Sequence, residues 1–160
     1  MAFHEKPGGK RCGTLNEWPH NSIFLAGGIT GCEDWQDRAF KLLDESNTNL
    51  VVFNPRRDDF DVTDKKMGLD QIKWERDKLK QTGSILFWFS HETVQPITLF
   101  ELGKCLQWDK PLFIGADRKY ERREDILIQV ALEKNRLHVH DTLEGVLTDF
   151  QNWRRYEQQN

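Results

Sequence analysis

From residue 22 onward the chain alternates between two hydrophobic patterns: short unbroken apolar runs, and longer stretches in which an apolar side chain returns every third or fourth position. The runs predict strands at 22–26, 50–53, 84–90 and 111–115, each closed by Gly, Pro, Asn or Ser, with a shorter one at 137–140. The run Ile85-Leu86-Phe87-Trp88-Phe89 has no polar alternation, as a parallel strand covered on both faces requires. Between the runs the spacing predicts helices over 33–46, through Trp35, Phe40 and Leu43, and over 69–81, through Ile72, Glu75 and Leu79. A helix from Pro96 to about Trp108 carries Leu99, Leu102 and Leu106, one over 125–135 carries Ile126, Val130 and Leu132, and a last one covers 142–156.

Five strands alternating with five helices predict an α/β fold, a single-domain flavodoxin-like or Rossmann-like sandwich with a five-stranded parallel sheet in the order 2-1-3-4-5. Its switch point lies between the first and third strands, so the loops after Ala26 and Phe89 are expected to border one crevice, flanked by the loop after Phe53. Residues 1–20 are polar and broken by Gly and Pro, which reads as a flexible or loosely packed arm that Phe3, Leu15 and Trp18 can pin to a domain at 21–160.

Composition narrows the function classes. The chain has 160 residues, 38% of them hydrophobic, enough for one sizeable core. A formal charge of -3, with basic and acidic residues interspersed, supplies no field for a nucleic-acid polymer. No stretch approaches the roughly 20 apolar residues of a membrane span, and the N-terminus lacks a secretory apolar core, so a soluble protein is expected. Cys12, Cys32 and Cys105 are odd in number and lack metal-ligand spacing, which suits free thiols and a cytoplasmic location. The scattered histidines predict no metal site and the chain no cofactor; a G-x-S-x-G elbow is missing too.

The chemistry concentrates in Pro96-Ile97-Thr98-Leu99-Phe100-Glu101-Leu102-Gly103, where an acid interrupts an apolar helix start. Burying an ionised carboxylate costs several kcal/mol unless it is paired or used. Glu101 is therefore a candidate nucleophile, the alternative being an acid stabilised by the helix dipole. Glu75 follows Trp74 on the apolar side of its helix and is either a second inward carboxylate or a solvated partner of Lys78. Two carboxylates at one pocket equip a protein for attack at an anomeric carbon, one as nucleophile and one managing the proton of the leaving group. Gly27 and Gly28 mark a tight turn or a close backbone approach to a ligand. Arg56, after Asn54-Pro55, can reach a phosphate or sugar hydroxyl, or can serve with Arg57 as a surface charge balanced by Asp58 and Asp59.

Taken in order, Ile23-Phe24-Leu25-Ala26-Gly27-Gly28, Asn54-Pro55-Arg56, Trp74-Glu75 and Phe100-Glu101-Leu102-Gly103 resemble the nucleoside 2-deoxyribosyltransferase superfamily, closest to its deoxyribosyltransferase-like branch. The resemblance implies that Glu101 is the nucleophile and that Glu75 stands where the family has an aspartate. It places Phe24 where characterised transferases have a tyrosine, and Gln95 where pyrimidine-using members have a base-reading aspartate. Phe24, Gly27, Gly28, Asn54, Arg56, Gln95 and Thr98 are the implied substrate contacts. The implied activity is N-glycosidic cleavage and (deoxy)ribosyl transfer on a small-molecule nucleoside or nucleotide, through a covalent glycosyl-enzyme and without a cofactor. The alternatives are a nucleoside 5′-monophosphate N-glycosidase or a non-catalytic nucleotide-binding module. A homo-oligomer is implied as well.

Overall fold

In a computed structural model the residues described are 1–9, 21–46, 49–57, 59, 61 and 63–159; Leu15, Trp18 and Cys12 lie outside them. The elements are β1 (Phe3–Glu5), β2 (Ser22–Gly27), α1 (Trp35–Ser46), β3 (Val51–Phe53), α2 (Lys65–Gln81) and β4 (Ser84–Phe89), then α3 (Pro96–Cys105), β5 (Leu112–Ala116), α4 (Arg123–Glu133), β6 (Val139–His140) and α5 (Leu143–Glu157). The strands hydrogen-bond in the order β1-β3-β2-β4-β5-β6. With β1 set aside, this is the 2-1-3-4-5 order that the alternation predicts, and the pairs β1/β3, β2/β3 and β5/β6 are parallel. The sixth strand is the departure from expectation. The chain divides into two compact units, Met1–Leu25 with Gln36–Ile85, and Ala26–Trp35 with Leu86–Asn160.

In the first unit β3 lies between β1 and β2, with Val52 opposite both His4 and Ile23. Enclosure from two sides explains why Val51, Val52 and Phe53 are all buried. β1 carries no apolar run: Phe3 is 49% exposed and does not pin the arm, while Ala2, Glu5 and Pro7 are buried. Main-chain bonds hold the strand, Phe3 N donating to Leu50 O at 2.7 Å and Asn54 N to Glu5 O at 2.9 Å. The Glu5 carboxylate meets Lys78 Nζ at 2.6 Å, both side chains being almost fully enclosed. Lys78 Nζ also lies 4.6 Å from the centroid of the Phe53 ring.

α2 begins four residues before the periodicity predicts, because Asp64 accepts from the Lys66 and Met67 amides at 2.9 and 3.1 Å and caps it. Its buried residues are Gln71, Lys78 and Leu79, whereas Ile72 is 64% exposed. The inward face is therefore largely polar and turned from the one that Ile72 suggests. At the starts of β2 and β4 three hydroxyls interlock: Ser84 Oγ donates to Ser22 O at 2.9 Å, Ser22 Oγ accepts from Gly83 N at 2.9 Å, and Thr82 Oγ1 donates to Ser84 O at 3.0 Å.

In the second unit β5 pairs with β6, Ile114 opposite Val139 and Gly115 opposite His140. Gly115 leaves room for the Trp88 ring and Val146, and Phe113 meets Phe150 edge-on at 5.3 Å and Trp153 at 5.5 Å. Thr142 caps α5 by accepting from Gly145 N at 3.1 Å.

A buried ion pair penalises the loss of one partner more than the loss of both. Lys78→Met is expected to lower unfolding free energy by about 3 kcal/mol, and Glu5→Met with Lys78→Met to recover much of that loss in urea titrations. A double variant no more stable than Lys78→Met alone would refute the coupling.

Candidate functional site

The candidate residues divide between the units: Phe24, Asn54, Arg56 and Glu75 in the first, and Gly27, Gly28, Gln95, Thr98 and Glu101 in the second.

In the first unit the end of β3 and the middle of α2 are joined by a residue that the sequence reading passed over. Gln71 Nε2 donates to Pro55 O and to Glu75 Oε1, both at 2.7 Å. Glu75 is half-buried, and it is Gln71 rather than Lys78 that holds it, since Lys78 is committed to Glu5. Burial pushes the Glu75 carboxyl above its ordinary value, opposed by the Gln71 bond. A glutamine one helical turn before a glutamate was the available signal. Asn54 is fully buried; its Oδ1 accepts from Arg56 N at 2.9 Å, and among the described residues its Nδ2 and Gln71 Oε1 find no hydrogen-bond partner. The half-buried Arg56 donates from Nε to Gln36 Oε1 at 3.1 Å, which orients the guanidinium. Phe24 is buried, its ring centroid 6.1 Å from that of Trp74, and it presents no hydroxyl.

In the second unit Gly27 and Gly28 are there for space. A Cβ on Gly27 would overlap the Trp35 ring and the Trp88 carbonyl, and one on Gly28 would overlap Cys32 and Gln95. Neither glycine has a positive φ, so it is close packing that requires glycine at these two positions. Both main-chain groups of Gly28 are engaged: its N–H donates to Gln95 Oε1 at 2.7 Å, and its carbonyl accepts from Trp35 Nε1 at 3.0 Å. The Gln95 amide is correspondingly occupied, Nε2 donating to Ser90 O at 2.8 Å, Ser90 Oγ at 3.2 Å and Thr93 O at 3.4 Å. Gln95, which the resemblance places at a base-reading position, is buried and bonded to Gly28 and within the 90–95 loop.

Glu101 is half-buried in the second turn of α3. That is past the free amides of the first turn, where a helix dipole acts most strongly, so the dipole is not what accounts for the acid. Thr98, Leu102 and Cys105 are buried on the same helix, while Ile97 and Phe100 are each 65% exposed. The Cys105 thiol is pushed up to about 12 by burial and then by the Glu101 carboxylate, which leaves it protonated and unsuited to nucleophilic work. Among the described residues no group of three or more His, Cys, Asp and Glu could hold a metal ion, and no helix is long and apolar enough to cross a membrane.

Compared with known families, residues 20–120 match a family described as nucleoside 2-deoxyribosyltransferase like. The match spans more than half of the chain and contains every candidate residue; β1 lies outside it. No curated protein matches the chain.

Because the native state raises the Glu75 carboxyl, the stability from its protonated form is complete below the ordinary 4.5 and is lost as pH rises through the raised value. Glu75→Gln, neutral at every pH and still able to accept from Gln71, is expected to gain on the parent as pH rises from 4 towards 7. Melting temperatures across that range check this, and parallel curves would contradict it.

Proposed function

Since the chain belongs to the nucleoside 2-deoxyribosyltransferase-like family, we propose that it cleaves the N-glycosidic bond of a nucleoside or nucleotide and transfers the (deoxy)ribosyl group through a covalent intermediate on Glu101. The observation that carries the reading is the family match over a span that includes the Phe100-Glu101-Leu102-Gly103 segment.

In the proposed reaction a Glu101 oxygen bonds to C1′ as the C1′–N bond breaks, and the bonding electrons leave with the base, which takes up a proton. Glu75 is assigned the proton, supported by a carboxyl whose proton affinity burial increases. A second base, or water, then attacks C1′ and frees the Glu101 carboxylate. Two displacements retain configuration at C1′. Asn54 is assigned to the sugar, supported by its buried Nδ2, which lacks a protein partner among the described residues. Thr98 is assigned to the Glu101 turn rather than to substrate contact, in keeping with its burial on the same helix.

Arg56 supports a second reading, a 5′-monophosphate N-glycosidase, because Gln36 orients a guanidinium suited to a phosphate. Water then replaces the acceptor base. The family resemblance further implies a homo-oligomer, which light scattering measures.

The test is chromatography of deoxynucleosides and their 5′-monophosphates incubated with and without an acceptor base, alongside Glu101→Ala. Base exchange is expected with the parent protein and a fall of about a thousandfold or more with the variant. Mass spectrometry of the quenched protein is expected to find a glycosyl adduct on the peptide holding Glu101. Free base and sugar phosphate without an acceptor would favour the hydrolase, saturable binding without turnover a binding module, and undiminished turnover by Glu101→Ala would remove the nucleophile assignment.

A further inference from the structure

α3 starts from an unusual residue. Gln95 has φ 53° and ψ 57°, a left-handed conformation that non-glycine residues seldom adopt, and it sits directly before Pro96. Its carbonyl accepts the first bond of the helix, from Leu99 N at 3.1 Å, so the setting of this one residue fixes where α3 begins and how the turn bearing Glu101 is aimed. A glutamine stays in such a conformation only where its surroundings over-determine it. Here they do, at two points.

The first point is the side chain, buried to 6% exposure. Oε1 faces a main-chain donor, Gly28 N, while Nε2 faces the Ser90 and Thr93 carbonyls, so the neighbours themselves dictate which amide atom lies where. The second is the peptide that leads into the residue. Rotating peptide 94–95 would change the φ of Gln95 and reverse the Val94 carbonyl, and that carbonyl accepts from the Tyr120 hydroxyl at 2.5 Å. Tyr120 is 3% exposed, its ring lies 5.3 Å from that of Phe89, and its own amide donates to Asp117 O at 2.9 Å. Asp117 N in turn donates to Phe89 O at 2.9 Å. The hydroxyl is thus anchored to the strand end from which the 90–95 loop departs, and with its pKa pushed up to about 12 by burial it remains a donor at neutral pH.

We propose that Gln95 and Tyr120 are positioning residues that hold peptide 94–95 in one orientation and thereby aim the Glu101 turn of α3, and that residue 95 takes no part in choosing the base. This rests on the reading of Glu101 as nucleophile. It also changes what that reading implies for substrates: with the amide at position 95 consumed inside the protein, purine and pyrimidine deoxynucleosides are discriminated elsewhere.

Two variants separate positioning from folding. Gln95→Gly adopts the left-handed conformation without steric cost and deletes only the side-chain bonds; Tyr120→Phe keeps the ring and deletes only the hydroxyl. For both, kcat for base exchange is expected to fall about tenfold or more while KM changes less than twofold, because misaiming a reacting group costs rate more than affinity. The ratio of purine to pyrimidine use is expected to stay at the parental value. Hydrogen exchange gives a readout independent of activity: the Gly28 amide is expected to lose protection in Gln95→Gly, and the Leu99 amide in both variants. A shifted base ratio with kcat retained would overturn the proposal by making Gln95 a base reader, and parental kcat with parental amide protection would overturn it outright. If the parent protein turns over neither nucleosides nor their 5′-monophosphates, the reading of Glu101 fails by itself, and amide protection alone decides whether the brace exists.

Discussion

The second unit is organised around a shortage of space at the end of β2. The Trp35 ring and the Trp88 carbonyl occupy the place of a side chain at residue 27, and Cys32 and Gln95 occupy it at residue 28. Main chain and large rings come so close there only because two glycines follow one another. That closeness brings Gly28 N within 2.7 Å of Gln95, which fixes the 90–95 loop and hence the start of α3. The two glycines are the seat of that brace.

The first unit solves a different problem, that of polar groups on an inward helix face. Gln71 and Lys78 sit where an amphipathic pattern would place leucines, and each meets a partner far away in sequence: Pro55 O for the Gln71 Nε2, Glu5 for Lys78. Glu75, on the same helix, has the Gln71 amide as its hydrogen-bond partner, and burial raises its carboxyl against that bond.

How legible this was from sequence depended on the kind of interaction. β2, β3, β4 and β5 announce themselves as unbroken apolar runs, and their order follows from alternation with helices. β1 does not, because three residues with an outward Phe3 and a buried Glu5 carry no hydrophobic signal; main-chain pairing and one ion pair make it a strand. The start of α2 was hidden because its first turn is made by the Asp64 cap and not by apolar spacing. Glu101 and Glu75 were readable as acids out of place. Gln71 could have been found from its spacing to Glu75, but Tyr120 could not: nothing local ties a tyrosine to a carbonyl 26 residues earlier.

β1 also bears on how the chain behaves among its own copies. Without it, Val51, Val52 and Phe53 would form an uncovered strand edge, a row of unpaired amides and carbonyls flanked by β-branched and aromatic side chains, which is a template for adding strands from other molecules. β1 takes that place and is itself a poor template, being only three residues long and ending on a carboxylate already bound to Lys78. Three residues outside the family match thus do the work of an edge guard, and a shortened chain beginning where the match begins would trade solubility for a tidier boundary.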